Sequence, residues 1–519
     1  MLKKIVMTTA AIAVAVVLFL LATLPPKPLV IHPDTVDQDL LRRTVRGAYH
    51  VHTTESDGAS DRATVAAAAA RAGLRFIVFT DHGDGTRQRP APEYIHGVLC
   101  LDGVEVSTNG GHYVALDMPV APYPLGGDAA AVVEDVARLG GFGIAAHPHH
   151  PRPDIAWSDW SAPIDGIEWI NLDSEWRDDG PFALARVGFD YLLRPASAIA
   201  SLLDRPVATL KQWEALERSR SIVGLAAVDA HGAGRRNGEG RAARLGLGPG
   251  YEASFLTISN SVLLDRPLPG TAAEDARLIM AAIRRGSVYS VVEAMGTGVL
   301  LTKSSPDAAF EVASPLPVDA QPAHVEADGR SRLEVLLGKG SGATAVPWVV
   351  SNWSGPRRTA ASQPSPEPVL AEPLTRASPW RVEKDPDSSG QIAASGESTT
   401  LQYSLAPDRH SRFVAIATDF GGGQGPTGRL VFDAEASKPM RVSVQLRFAD
   451  GARWAKSVYL DEEVRQVVIT PAEMTSAVRS GTPIPDPSTA TSVLVVVDLV
   501  NARPGDSGTF TIRDLRQSR

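Results

Sequence analysis

The chain has 519 residues, with 44% hydrophobic and 21% charged residues, an ordinary balance for globular protein. One core seldom grows past about 250–300 residues, so more than one domain is expected. A formal net charge of -8 and the lack of any basic stripe argue against a nucleic-acid polymer as partner. The single cysteine, Cys100, excludes an intramolecular disulfide and a thiolate metal cluster, and its apolar neighbours predict a small buried residue.

In chain order, Lys3 and Lys4 precede an apolar run from Ile5 to Leu24, which Pro25 and Pro26 end. A run of this length reaches the ~20 residues that span a bilayer. Residues 1–24 therefore predict an uncleaved membrane anchor. A cleaved signal peptide is the alternative, with Ala22-Thr23-Leu24 as a poor cleavage site. The two lysines would stay inside, leaving the rest of the chain periplasmic or at the cell surface. Residues 25–44 read as a tether.

From Gly47 onward apolar runs alternate with helical patterns. Strands are predicted at Gly47–His52, Arg75–Thr80, Val98–Ser107, His112–Asp117, Phe142–His147, Gly166–Ile170 and Ile222–Val228. Helices are predicted at Asp61–Ala72, Ala129–Leu139 and Ala272–Arg285. This alternation predicts an α/β domain over 45–298, a distorted (β/α)7 TIM-like barrel. Residues 299–360 read as a small β-rich segment and 361–378 as a Pro/Ser-rich linker. Residues 379–519 carry regularly spaced strands that predict a β-sandwich or jelly roll.

Nine of the twelve histidines lie between His50 and His231. Several fall at predicted strand ends, beside acids. His50-Val51-His52 ends the first strand, and strand alternation puts both imidazoles on one face, about 6–7 Å apart. Asp81-His82, Glu105, His147 and Asp229-Ala230-His231 end later strands. In a parallel barrel these ends would converge on one rim. Each motif alone is weak; a structural purpose for all of them together would strand many polar groups at one end of a fold.

These pieces resemble the PHP (polymerase and histidinol phosphatase) superfamily. The resemblance rests on His50-Val51-His52 with Ser56-Asp57-Gly58, Thr80-Asp81-His82, Gly103-Val104-Glu105, Gly111-His112, Ala146-His147-Pro148 and Asp229-Ala230-His231. It covers residues 45–295 and is nearest the carbaryl-hydrolase-like branch, which Gly286-Ser287-Val288-Tyr289 also resembles. It implies two or three divalent ions (Zn, Mn or Fe). His50, His52, Glu105 and Asp229 would hold the first. Glu105 would bridge to a second with His112 and His147. Asp57, His82 and His231 would hold the third. Glu105, His147 and Asp229 would be catalytic. The donor types suit these metals. The activity implied is hydrolysis of a small-molecule or polymer-linked phosphoester by a metal-bound hydroxide. A carboxylic or carbamate ester hydrolase on the same site is the alternative. A non-catalytic cell-surface binding protein with a structural metal site is a third reading.

Softer candidates surround this set. Arg235, Arg236 and His149 are candidate substrate contacts, and His150 borders the same turn. Asp81 is a candidate for orienting a ligand. Trp157, Trp160, Trp169 and Trp176 are expected mainly to pack. The segment from Trp380 loosely resembles galactose-binding-like and carbohydrate-binding modules, which implies a carbohydrate contact.

Overall fold

The computed structural model describes residues 2–518 apart from 33–36, 178, 233–247, 339–344, 357–371, 375–377, 409, 411, 424 and 477–483. Arg235 and Arg236, and most of the expected linker, lie outside the described residues.

Thirteen strands form one sheet. They are β1 (Thr44–Val51), β2 (Phe76–Phe79), β3 (Glu93–Ile95), β4 (Val98–Thr108), β5 (Gly111–Leu116), β6 (Phe142–Ala145) and β7 (Gly166–Asn171). The others are β8 (Val223–Ala227), β9 (Ser259–Leu263), β10 (Val288–Val291), β11 (Ala320–Ala327), β12 (Arg330–Leu337) and β13 (Val349–Ser351). Their order is β11-β12-β13-β10-β9-β1-β2-β4-β5-β6-β7-β8, with β3 on β4.

The expected (β/α)7 barrel is corrected by this sheet. Among the described residues β1/β2, β2/β4, β6/β7 and β7/β8 are parallel, with one further parallel bridge between Val51 and Ala230 past the end of β8. β4/β5, β5/β6, β9/β1 and β9/β10 are antiparallel. A parallel neighbour needs a long crossover, whereas β4 turns directly into β5 at Asn109-Gly110 and must run antiparallel. The segment after 299 also joins this sheet through β11–β13.

Alternate residues of the central strands face two cores. Phe76 and Val78 enter one cluster, while Ile77 and Phe79 enter the other. Both faces of β2 are thus buried, which explains its unbroken apolar run. Past the end of β8, Val228 N–H donates to Tyr49 O at 3.0 Å and Ala230 N–H to His50 O at 3.3 Å. These bonds bring the C-terminal end of β8 beside that of β1.

The helices follow from local signals. Helix α1 spans Leu2–Ala22. In α2 (Arg62–Arg71), Asp61 caps the N-terminus by accepting from Thr64 N–H. In α3 (Ala129–Arg138), Asp128 does the same for Ala130 and Ala131.

Among the described residues no helix is long and apolar enough to cross a membrane. This overturns the expected membrane anchor, and the periplasmic or cell-surface placement that rested on it. Instead, the end of α1 is tied to α4 (Pro181–Leu193): Arg186 donates to Thr23 O at 2.8 Å and Leu20 O at 3.2 Å.

The C-terminal region is two antiparallel sheets of six strands each. Leu401, Leu430 and Phe432 from one share a core with Ile416, Val444 and Val495 from the other. One buried ionic group joins this region to the first. Arg441 Nε lies 2.7 Å from Asp135 Oδ2, and its Nη2 lies 2.8 Å from Asp135 Oδ1 and from Glu134 Oε2.

Candidate metal centre

Nine residues meet where the ends of β1, β2, β4, β6 and β8 converge. Glu105, near the end of β4, sits at the middle. Its Oε1 is 2.7 Å from His112 Nδ1 and 2.9 Å from His147 Nε2. Its Oε2 is 3.2 Å from His52 Nε2, 3.2 Å from His82 Nδ1 and 3.3 Å from His50 Nε2. Asp229 Oδ1 stands opposite, 3.4 Å from His50 Nε2 and 3.3 Å from His52 Nε2.

Three groupings have ligand atoms mutually within 4.8 Å: His50, His52 and Asp229; His82, Glu105 and His112; and His52, Asp57, His82 and His231. These groupings hold eight of the nine ligand candidates named from the sequence, and His147 joins them through Glu105 Oε1 at 2.9 Å. The partition differs in detail, since His82 reaches Glu105 as well as Asp57.

The backbone is bent to achieve this. His50, His147 and Asp229 have φ of 65°, 28° and 45°. A non-glycine residue in this left-handed region costs of order 1–3 kcal/mol, and such strain clusters at functional sites. Gly58 serves the same end: a Cβ there would meet His52 C and O at 2.5 Å.

Asp81 anchors the loop that carries Asp57. It accepts from Thr53 N–H at 2.8 Å, Thr53 Oγ1 at 2.7 Å and Ser56 Oγ at 2.5 Å. Asp81 thus positions the His52–Asp57 turn.

Two supporting residues were missed in the sequence. Glu168, buried in β7, accepts from His50 Nδ1 at 2.6 Å and from His147 N–H at 2.6 Å. Asn171 donates to Glu168 Oε2 at 2.9 Å and to Asp229 Oδ2 at 3.2 Å. The available signal was an acid inside the apolar run Gly166–Ile170, where a carboxylate needs a partner.

The cluster is electrostatically coupled. Burial would raise the Glu105 carboxyl, but His82, His50 and His112 hold it well below the usual range. Burial would likewise raise Asp229, and His50, His52 and His231 hold it low. Burial would lower the His52 imidazole, yet hydrogen bonds to Asp229 and Glu105 push it up to about 10.

The donors fit a cation. A carboxylate only accepts, so His50 Nδ1 carries a proton toward Glu168, and in the neutral ring His50 Nε2 would hold the lone pair for a cation. That lone pair faces His52 Nε2 at 3.1 Å. His231 Nε2 is buried and makes no hydrogen bond among the described residues, although Asp57 Oδ1 is 3.3 Å away. Imidazole nitrogens and carboxylates placed this way are the donor set of Zn²⁺, Mn²⁺ or Fe²⁺.

The cluster floors a cavity of about 350 Å³, whose remaining walls are Ser107, His150, Arg152, Ile155, Asp173 and Arg177. His149 is not among the lining residues. With φ of 67° it turns away, its ring 6.4 Å from that of Trp160. Of the two neighbours, the structure thus places His150 at the cavity and His149 beside Trp160. Trp157 and Trp169 are core residues.

No protein-family model and no curated protein matches the chain. Solved structures give slight likenesses. A family 11 carbohydrate-binding module from a Clostridium thermocellum cellulase is 14% identical; the match covers 30% of this chain and 97% of the module, with a TM-score of 0.24. TmCBM61, solved with β-1,4-galactotriose, is 17% identical over 27% of this chain and 88% of its own, with a TM-score of 0.18. An exo-β-agarase is 15% identical over 28% of this chain and 25% of its own, with a TM-score of 0.21. Likenesses of this size speak to neither the ligand nor the chemistry of this chain.

Proposed function

We propose that the chain is a metal-dependent hydrolase of the PHP type, acting on phosphoesters at the cluster around Glu105. One observation carries the reading: both oxygens of a buried carboxylate stand among five imidazoles at the floor of an open cavity. Structural metal sites are usually closed tetrahedral sets, and an overlapping nine-residue cluster beside open space is the arrangement of a catalytic one. His50, His52, Glu105 and Asp229 would hold one ion, Glu105, His112 and His147 a second, and Asp57, His82 and His231 a third. Bound ions would supply Lewis acidity and charge neutralisation for attack of water on the ester. The chain's own part is to fix the donors: Glu168 sets the His50 tautomer, Asp81 holds the Asp57 turn, and Asn171 orients Asp229.

The test is elemental analysis of the purified chain, with turnover of aryl phosphate and aryl carboxylate esters before and after chelation. Two or more ions per chain and chelator-sensitive phosphatase activity are expected. Fewer than two ions, or turnover indifferent to chelation, would refute the reading. A higher kcat/KM on the carboxylate ester would move the substrate class.

For the C-terminal domain we propose a carbohydrate contact. A groove of about 350 Å³, walled by Ser443, Gln445, Ser457 and Asp498 of this domain and by Asn109 of the first, favours it. Hydroxyl, amide and carboxylate side chains pair with sugar hydroxyls. Affinity electrophoresis in a panel of polysaccharides tests it; unretarded migration in all of them would refute it.

A further inference from the structure

Among the residues that wall the metal cavity outside the nine-residue cluster, the polar side chains are mostly committed. Ser107 Oγ is 3.3 Å from His112 Nε2. Arg152 is held by Asp154 at 2.6 Å. Arg177 binds Asp173 through Nε at 2.6 Å and Nη2 at 3.0 Å. His150 differs. It is only 7% exposed, yet it lines the cavity and belongs to none of the three groupings.

Its orientation is built. His147 and His149 take left-handed φ of 28° and 67°, and His150 N–H donates to His147 O at 3.1 Å. The turn brings the His150 ring edge-on to that of His147, with centroids 5.5 Å apart. His150 Nδ1 accepts the backbone N–H of Arg152 at 3.0 Å. A nitrogen that accepts carries no proton, so the ring's proton is on Nε2. Nε2 has no partner among the described residues.

We propose that His150 is an oxyanion-binding residue: its Nε2–H donates a hydrogen bond to an oxygen of a phosphate-like group held at the metal cluster. This rests on the hydrolase reading for its ligand but is tested apart from turnover. Nε2–H has no lone pair to offer a metal, so His150 serves the anion and not the ions. A hydrogen bond from a preorganised donor to an oxyanion strengthens as negative charge develops during reaction.

Inorganic phosphate is titrated calorimetrically into the metal-loaded chain and into His150→Ala, His150→Gln and His149→Ala, with bound metal measured in each. A hydrogen bond to a charged group contributes about 1.5–3 kcal/mol. His150→Ala should therefore weaken phosphate binding about 10- to 150-fold with metal content unchanged. His150→Gln, which restores an N–H donor, should recover much of the loss, and His149→Ala should bind as the parent does. Unchanged phosphate affinity in His150→Ala, loss of metal from it, or no rescue by glutamine would overturn the proposal. So would a metal-loaded parent that binds no phosphate. Turnover is scored separately: an enzyme that hydrolyses aryl phosphates while His150→Ala binds phosphate normally sinks this inference and spares the hydrolase.

Discussion

Glu168→Gln is the substitution from which most can be learned. The carboxylate receives three donors: His50 Nδ1–H on Oε1, and His147 N–H and Asn171 Nδ2–H on Oε2. Glutamine keeps the shape but turns one oxygen into an N–H donor. If its amide oxygen keeps His147 and Asn171, its NH₂ confronts His50 Nδ1. The imidazole must then move its proton to Nε2, the atom that faces Glu105 and Asp229. A protonated Nε2 offers no lone pair to a cation. Keeping the original tautomer instead leaves a buried donor unsatisfied, at about 1–3 kcal/mol. Metal affinity should therefore fall about 5- to 150-fold, in line with the 10- to 100-fold typical when such a support is lost. Competition with a chromophoric chelator measures the affinity, and circular dichroism checks the fold. A folded Glu168→Gln that binds metal within threefold of the parent would refute the tautomer argument.

Glu105→Ala removes a carboxylate shared by two ion positions, so elemental analysis should show at least one ion lost while far-UV circular dichroism is unchanged; Glu105→Gln should fail likewise, since it keeps the shape without the charge. Full metal content and turnover in Glu105→Ala would disprove bridging. Arg441→Ala leaves Asp135 buried with Arg138 and Tyr123 still beside it. Breaking a buried pair typically costs 3–5 kcal/mol, and the two remaining partners place the expected loss near the low end, about 3 kcal/mol in urea unfolding; a loss below about 1 kcal/mol would show that the interface does not depend on it. For Asp385, burial would raise the carboxyl, but donors from Ser388, Phe413 and Asp387 hold it well below the usual range. A depressed carboxyl stabilises the fold above its unfolded value of about 3.9 and loses that contribution as pH falls toward the folded one. The stability gap between the parent and Asp385→Asn should therefore narrow below about pH 4, and a gap constant from pH 7 to pH 3 would contradict this.

The local signals were strong where the chemistry was local. An aspartate followed by an alanine-rich run specifies a capped helix, and Asp61 caps α2 as its backbone demands. A four-residue apolar stretch such as Phe76–Phe79 specifies a strand buried on both faces. The candidate set was legible for a related reason: His and acid side chains at strand ends are costly unless they share a task, so His50, His52, His82, Glu105, His147, Asp229 and His231 pointed to one site together though each was weak alone, while the resemblance added Asp57 and His112. What the linear order could not convey was direction and company. Whether β5 runs parallel or antiparallel to β4 depends on the turn at Asn109-Gly110 and on the register their side chains accept, and this converted the expected barrel into a mixed sheet. Glu168 looks like any acid in a strand until the fold sets it 2.6 Å from His50 Nδ1. His149 and His150 are chemically equal neighbours in the chain. Only the left-handed turn, a compromise of backbone sterics with the surrounding contacts, sends one toward Trp160 and the other into the cavity.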